Sequence, residues 1–199
     1  GGKARGLAFL NSLVQKYNLS RKYDDVKISI PRTIVVATDY FDQFIVENGL
    51  QYVIDSEISD EEILSEFVSS RLPEGLVEEL KSYIDTVRTP LAVRSSSKLE
   101  DSSYQPFAGV YSTYMIPLVE NKSQMLRMLG KAIKSVYASV FYAGSRTYIQ
   151  TTANLLSEEK MAVVIQSICG SQHDGLYYPM LSGVARSVNF YPIGSEKPE

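Results

Sequence analysis

The most constraining feature of this 199-residue sequence is a short apolar strand that runs directly into small polar residues. Leu91-Ala92-Val93 predicts a buried strand, and Arg94-Ser95-Ser96-Ser97 follows at once. Small polar residues continue to Ser103, and residues 110–116, rich in Tyr and Thr, predict a second strand. The chain must therefore bury a hairpin whose connecting loop is rich in hydroxyls and backbone N–H groups.

Hydrophobic periodicity assigns most of the remaining chain to helices and strands. It predicts helices over residues 4–17, 59–71, 73–87, 123–141 and 144–151, and further strands over 26–30, 33–37, 161–168 and 183–188. Ser59 begins a capping box with Glu62, and Thr38 is predicted to cap a short helix that ends near Gly49. The helices at 59–71 and 73–87 are expected to form a solvated pair. This mixture predicts an α+β fold.

Composition excludes several classes of protein. The 20 Lys and Arg residues against 23 Asp and Glu give a net charge of −3, so any anion site must be local. One cysteine cannot form an internal disulfide, one cysteine and one histidine are too few for a structural zinc site, and they argue against a histidine-based hydrolase or a cysteine–histidine dyad. There is no apolar run of about 20 residues and no Walker loop. We expect a cytoplasmic protein that binds neither nucleic acid nor membrane.

The residues that could carry chemistry are those that bind anions. Lys3 lies at a predicted helix start and Arg94 at a strand end, before a loop rich in Ser, Gly and Thr. Backbone N–H groups of such a loop hold phosphate oxygens, while Lys and Arg neutralise their charge. The simpler alternatives are a solvated Lys3 and a salt bridge from Arg94 to Glu100 or Asp101. These two carboxylates are expected to cap or orient the loop rather than bind a metal ion.

Several sequence blocks, taken in order, match a known family. They are Gly1-Gly2-Lys3-Ala4-x-x-Leu7, Pro31 with Ile34-Val35-Val36-Ala37-Thr38, Val93-Arg94-Ser95-Ser96-Ser97-x-x-Glu100-Asp101, Phe107-Ala108-Gly109-x-Tyr111-x-Thr113, and Met161-Ala162-Val163-Val164-Ile165-Gln166. The chain thus resembles the N-terminal nucleotide-binding domain of the phosphoenolpyruvate synthase and pyruvate phosphate dikinase family, an ATP-grasp fold. The match covers nearly the whole chain.

The resemblance implies a role for each matching residue. Lys3 and Arg94 would contact the nucleotide phosphates and stabilise the transferred phosphoryl group. The hairpin loop over the triphosphate would include Gly109 and Thr113, and the residues bordering the adenine would be Gln166, Ser167, Ile168 and Cys169. The implied cofactors are ATP and Mg²⁺. The family's acidic metal ligand has no counterpart here, so the resemblance assigns no metal ligand to this chain.

The resemblance also implies a division into lobes and shows departures from the family. The fold would be a partial ATP-grasp fold with mixed or antiparallel sheets flanked by helices. Residues 1–116 would form a first lobe with a helical insertion near 59–87, and residues 117–199 would begin a second lobe that the parent chain continues. The family has two arginines after the long helix where this sequence has Gly144 and Ile149, with Arg146 nearby. The segment 170–181 is longer than the usual turn.

The function implied is phosphoryl transfer in a larger protein. The parent would transfer a phosphoryl group from ATP to a histidine on another domain and then to pyruvate, so its partners would be phosphohistidine and pyruvate-binding domains. This fragment alone would have no catalytic activity. Two alternatives stay open: a related phosphotransferase with a glucan or antibiotic acceptor, and a non-catalytic nucleotide sensor.

Overall fold

The computed structural model describes residues 2–97, 111–151, 159–185, 187 and 188, and the chain divides into two compact units, Gly1–Ile168 and Cys169–Glu199. The helices of the first unit are α1 Gly2–Lys16, α2 Thr38–Glu47, α3 Tyr52–Asp55, α4 Asp60–Ser69, α5 Glu74–Ile84, α6 Lys122–Ala138 and α7 Ala143–Thr151. Its strands are β1 Thr33–Val36, β2 Leu91–Ser96, β3 Thr113–Ile116 and β4 Ala162–Ser167. None of the helices in the described part of the chain is long and apolar enough to cross a membrane.

The first unit is organised around a four-stranded sheet in the order β1-β4-β2-β3, with every neighbouring pair antiparallel. The two central strands, β4 and β2, are more buried than the edge strands β1 and β3, as expected for strands with a neighbour on each side. The predicted hairpin between the strand at 91–93 and the strand ending at Ile116 is confirmed by the register Leu91 to Ile116, and the first strand continues beyond its predicted end to Ser96. The α+β class is confirmed.

The two faces of this sheet differ in character. Side chains alternate along each strand, so Leu91 and Val93 on β2 and Val163 and Ile165 on β4 point to the same face and are fully buried in the core. Their alternate neighbours point to the opposite face, which we call the open face. It carries Thr33, Val35, Ala92, Arg94, Ser96, Thr113, Met115, Ala162, Val164 and Gln166.

A layer of helices covers the core face of the sheet. Aromatic rings join this layer, with Phe44 and Phe67 each within 6 Å of a second ring on α6 or in the turn after it. The expectation of a solvated pair at 59–87 is wrong, because Phe67 on α4 and Leu80 on α5 are buried in the core and both helices pack against α6. Each helix is amphipathic, and its apolar stripe faces α6 rather than only its pair partner.

Three other predicted elements differ in the structure. Residues 26–30 form no strand, and Val26 makes only an isolated bridge to Tyr23. Thr38 does not cap α2 but is its first residue, and Ala37 stands at the cap without a side-chain hydrogen bond. Residues 183–185 are irregular rather than extended as a strand.

The second unit contains a small hairpin of β5 Ser171–His173 and β6 Leu176–Tyr178. Its turn, Asp174 and Gly175, has positive φ at both residues, 49° and 83°, which suits a tight two-residue connection. At Gly170, φ is 154° and a Cβ would lie 2.6 Å from the carbonyl carbon of Tyr178. Only glycine fits at this close approach of two backbone segments.

The predicted capping box at the start of α4 is present. The Glu62 N–H donates to the Ser59 hydroxyl oxygen at 3.2 Å, and the Ser59 N–H donates to the Glu62 carboxylate at 2.9 Å. The backbone and hydroxyl donors of Ser59 lower the pKa of Glu62 below its usual 4.5. The ionised form of Glu62 is therefore preferred in the folded state.

This shift predicts a pH dependence of stability. Because the pKa of Glu62 is lowered on folding, its contribution is fully present above the unfolded pKa and is lost as the pH falls through the folded pKa. We expect wild type to lose more thermal stability between pH 7 and pH 3 than Glu62→Gln, which keeps an acceptor for the Ser59 N–H. Melting curves at both pH values test this. Equal losses would show that Glu62 does not contribute.

Candidate functional site

The open face of the sheet brings together polar residues that lie far apart in the sequence. Arg94 on β2 pairs with Thr113 on β3 and with Val164 on β4, so their side chains form one row across the sheet. The next row joins Thr33 to Gln166, which pairs in turn with Ala92. Arg94 and Gln166 are therefore about 7 Å apart along the strand direction, at about 3.3 Å per residue.

Arg94 is the charged residue at the centre of this face. It is half-buried between the buried Ala92 and Val164 side chains on its own face, while Thr113 beside it is exposed. Within the described part of the chain, its guanidinium has no ion-pair partner. The alternative partners Glu100 and Asp101 lie outside the described residues, so a salt bridge to them stays a prediction. A half-buried guanidinium beside a hydroxyl suits the binding of an anion.

The first turn of α1 lies at the end of β2. The Gly2 N–H donates to the Ser97 carbonyl at 3.3 Å, and the Ala4 N–H donates to the Ser96 hydroxyl oxygen at 3.2 Å. These bonds place Lys3 beside the point where β2 leaves the sheet, and the first turn contains no acidic residue. The positive end of the helix dipole and the backbone of Lys3 thus lie at this edge.

A groove of about 300 Å³ separates α1 from β1 on the open face. One side is formed by small and apolar residues of α1, among them Ala4, Leu7 and Ala8, and the other by residues 30–33 and Val35. Thr33 lines this groove and also accepts a hydrogen bond from the Gln166 side chain at 3.1 Å. Through Thr33, the groove therefore adjoins the row of open-face side chains that contains Gln166.

Two backbone N–H groups at the end of β4 are bonded within the chain. The Ser167 N–H donates to the Arg32 carbonyl and the Ile168 N–H to the Pro90 carbonyl, both at 2.9 Å. Backbone hydrogen bonds to an adenine in this segment would therefore use carbonyl oxygens, which accept from its amino group. Cys169 is exposed and belongs to the second unit, and Gly109 lies outside the described residues.

Arg146, the basic residue that follows the long helix, is bound to the protein itself. Its guanidinium donates to the carbonyls of Phe141 at 2.6 Å and Val53 at 2.7 Å, and to that of Ser56. Three backbone carbonyls thus surround one cation, which fixes α7 to α3 and to Ser56 directly after it. Arg146 acts as a structural clamp.

We expect Arg146→Met to lower the free energy of unfolding by about 1.5–3 kcal/mol, because carbonyls that accept from a charged group lose their donor. Arg146→Lys keeps the charge but not the planar fork, and should recover only part of the loss. Urea unfolding of the three proteins provides the comparison. Normal stability of Arg146→Met with weaker ATP binding would instead assign Arg146 to the nucleotide site.

A buried acidic residue just before β4 was not identified from the sequence. Glu159 precedes β4 and is buried, with the Tyr111 hydroxyl 3.4 Å from its carboxylate. Ser95 and Ser97 at the end of β2 are buried as well. Next to Lys160, Glu159 has the appearance of a surface residue, and no periodicity marks it as buried. Buried polar side chains are thus present both at the end of β2 and just before β4.

The described residues contain no group of three His, Cys, Asp or Glu side chains arranged to hold a metal ion. Of the ligand types that Mg²⁺ prefers, hydroxyl and carbonyl oxygens are present on or beside the open face, at Thr33, Thr113 and the end of β4. These residues suit an ion that is coordinated mainly by nucleotide phosphates. They do not form a cage of carboxylates.

The sequence matches the family described as pyruvate phosphate dikinase, AMP/ATP-binding domain, over residues 1–197. The chain belongs to this family. The resemblance to the phosphoenolpyruvate synthase and pyruvate phosphate dikinase family is thereby confirmed, and the chain is a nucleotide-binding domain of that family. A match of this extent includes the whole sheet and both edges of the open face.

Two relatives of the dikinase domain extend the comparison. An uncharacterized phosphotransferase, YvkC, from Bacillus subtilis is 28% identical over 151 residues, or 76% of this chain. A phosphoenolpyruvate synthase from Aeropyrum pernix is 25% identical over 173 residues, also 76% of this chain. The chain spans only 17% and 20% of the lengths of these curated relatives.

Proposed function

We propose that this domain binds Mg-ATP on the open face of its sheet and presents the terminal phosphate for transfer. The observation that carries the proposal is the register that places Arg94 beside Thr113, with Gln166 on the same face. These residues lie far apart in the sequence, and the fold aligns a cation, a hydroxyl and an amide on one surface. The proposed architecture is part of an ATP-grasp fold, with residues 1–116 and 117–199 contributing to its two lobes.

In this proposal the triphosphate lies at the end of β2. Arg94 binds the phosphoryl group that is transferred, and the Thr113 hydroxyl donates a hydrogen bond to a phosphate oxygen. Lys3 and the first turn of α1 add positive charge at the same edge, and Gly109 belongs to the loop above it. Phosphoryl transfer needs little covalent chemistry from the protein, so these groups act by holding the phosphate in line and by stabilising its charge.

The adenine lies toward the other end of β4 in this proposal. Gln166 offers its side-chain oxygen, because its side-chain N–H group is bonded to Thr33, and Ser167 and Ile168 border the base. Cys169 continues the same segment. The Mg²⁺ ion neutralises the phosphates when bound, and the residues described here orient the nucleotide around it.

The activity of the whole protein is proposed by analogy with the relatives. One relative is named a phosphotransferase and the other a phosphoenolpyruvate synthase. We propose a cytoplasmic parent enzyme that phosphorylates a histidine on another of its domains and then pyruvate, with this domain alone inactive. Because the acceptor site lies outside this chain, a phosphotransferase with a glucan or antibiotic acceptor and a non-catalytic sensor are the competing assignments.

Hydrogen exchange can locate the nucleotide on the fold. With saturating Mg-ATP, we expect slower exchange of backbone amides in residues 92–97 and 111–116 and in the first turn of α1. Residues 60–84, which belong to the helical layer, should exchange at unchanged rates. Protection confined to the helical layer, or absent from both strands, would contradict binding at the open face. Mg-AMP, which lacks the terminal phosphates, is the matched control and should protect these segments less.

A further inference from the structure

The helical layer contains a second concavity, a groove of about 660 Å³ between α5, α6 and the segment that precedes α5. Its apolar floor consists of Leu72, Val77 and Leu126, all half-buried, together with Gly130. The lining residues of α6 extend from Leu126 to Lys134, or about 12 Å of helix axis at 1.5 Å per residue. The groove is therefore about two helical turns long.

The rim of this groove is positively charged, although the whole chain has a net charge of −3. Five cationic side chains and two carboxylates line it, and one of the carboxylates, Glu78, is already paired with Lys81 at 2.6 Å. The side chains of Arg71, Arg127 and Lys131 are exposed and have no ion-pair or hydrogen-bond partner in the part of the chain that is described. Three cations thus face solvent around an apolar floor.

The wall formed by Lys134 is fixed in place. Its ammonium group donates to the carbonyls of Val68 and Ser70, at the end of α4, and burial lowers the pKa of this amino group. The Lys134 ammonium group is therefore bonded within the protein, and Lys134 holds the end of α4 against α6. The cations available to a partner are Arg71, Arg127 and Lys131.

Gly130 lies in the interior of α6, where glycine costs about 1 kcal/mol relative to alanine. A Cβ at this position would meet one atom, Cδ1 of Leu72, at 3.4 Å, which is an ordinary contact. Packing within the chain does not require a glycine here. The missing side chain instead leaves the floor of the groove open.

We propose that this groove binds an acidic amphipathic helix of a partner protein. The partner's apolar stripe would lie on Leu72, Val77, Leu126 and the space at Gly130, and its carboxylates would face Arg71, Arg127 and Lys131. A cleft between two helices is a common receptor for a third helix, and complementary charges at its rim fix the partner's orientation. This surface lies on the helical layer rather than on the open face, so the proposal is independent of the nucleotide site.

The test uses the full chain and a fluorescein-labelled helical peptide of about 18 residues, with a leucine stripe flanked by glutamates. We expect binding in the range of about 10–100 μM, at least tenfold tighter than for the same peptide with lysines in place of glutamates.

Arg127→Glu combined with Lys131→Glu should weaken binding at least tenfold, and so should Gly130→Leu. Lys16→Glu combined with Lys22→Glu changes the net charge equally at distant exposed residues and should leave binding unchanged. ATP binding should be the same in all variants.

Several outcomes would overturn the proposal. They are no binding of the glutamate peptide at about 1 mM, equal binding of the lysine peptide, and equal weakening by the distant charge control. Equal binding of a glutamate peptide without leucines would show a purely electrostatic anion surface. If the chain self-associates and Gly130→Leu abolishes this, the groove binds a second copy rather than an acidic helix.

Discussion

Arg94→Ala should weaken Mg-ATP binding about 5- to 150-fold, which corresponds to about 1–3 kcal/mol for a charged hydrogen bond that is lost. The reason is the position of Arg94 on the open face, beside Thr113 and without an ion-pair partner among the described residues. Isothermal titration calorimetry of wild type and variant measures the ratio directly. Arg94→Lys keeps a charge but not the fork of donors, and should lie between the two.

The matched control for this experiment is Arg127→Ala. Arg127 is an exposed arginine on α6, in the layer that covers the other face of the sheet. Its loss removes the same charge from the chain, so a comparable weakening would indicate a general electrostatic effect. Unchanged ATP affinity in a folded Arg94→Ala protein would remove Arg94 from the nucleotide site and favour a structural salt bridge to Glu100 or Asp101.

Phe67→Ala should have the largest effect on stability, about 3–5 kcal/mol, because it leaves a cavity in the core. Phe67 is 0% exposed and its ring centroid lies 5.7 Å from that of Phe44 and 5.5 Å from that of Phe141. It therefore joins α2, α4 and the turn after α6. For a chain of this size the midpoint of thermal unfolding should fall by about 6–20 °C.

Phe9→Ala is the control, since Phe9 is 63% exposed on α1 and its removal should change stability by less than about 0.5 kcal/mol. Phe67→Leu fills part of the cavity and should show an intermediate loss, which keeps the comparison informative if Phe67→Ala does not fold. Equal melting temperatures for Phe67→Ala and wild type would mean that α4 is not part of the cooperative core.

The elements that the sequence predicted best are those whose patterns depend on local contacts. The capping box at Ser59 and Glu62 uses groups three residues apart, and α6 has a long apolar stripe. Residues 26–30 have the β-branched composition of a strand, yet they pair with no strand of the sheet and are irregular. Whether an extended segment becomes a strand depends on a partner, which composition does not specify.

The candidate site was predictable only in part for a similar reason. Arg94 was identified from its place after a buried strand, and the family resemblance added Thr113 and Gln166. Their common face follows from the register of three strands, which depends on contacts between residues far apart in the chain. Buried Glu159 and the clamp at Arg146 left no local signal, because both are set by tertiary contacts.

The most direct test of the central claim is a calorimetric titration of Mg-ATP into the wild-type chain. We expect saturable one-site binding with a Kd between about 1 μM and 1 mM, or about −8 to −4 kcal/mol. Mg-AMP should bind more weakly, because it lacks the phosphates assigned to Arg94 and Lys3. Absence of saturable binding at about 10 mM Mg-ATP, or equal affinity for Mg-AMP, would contradict a triphosphate site on the open face.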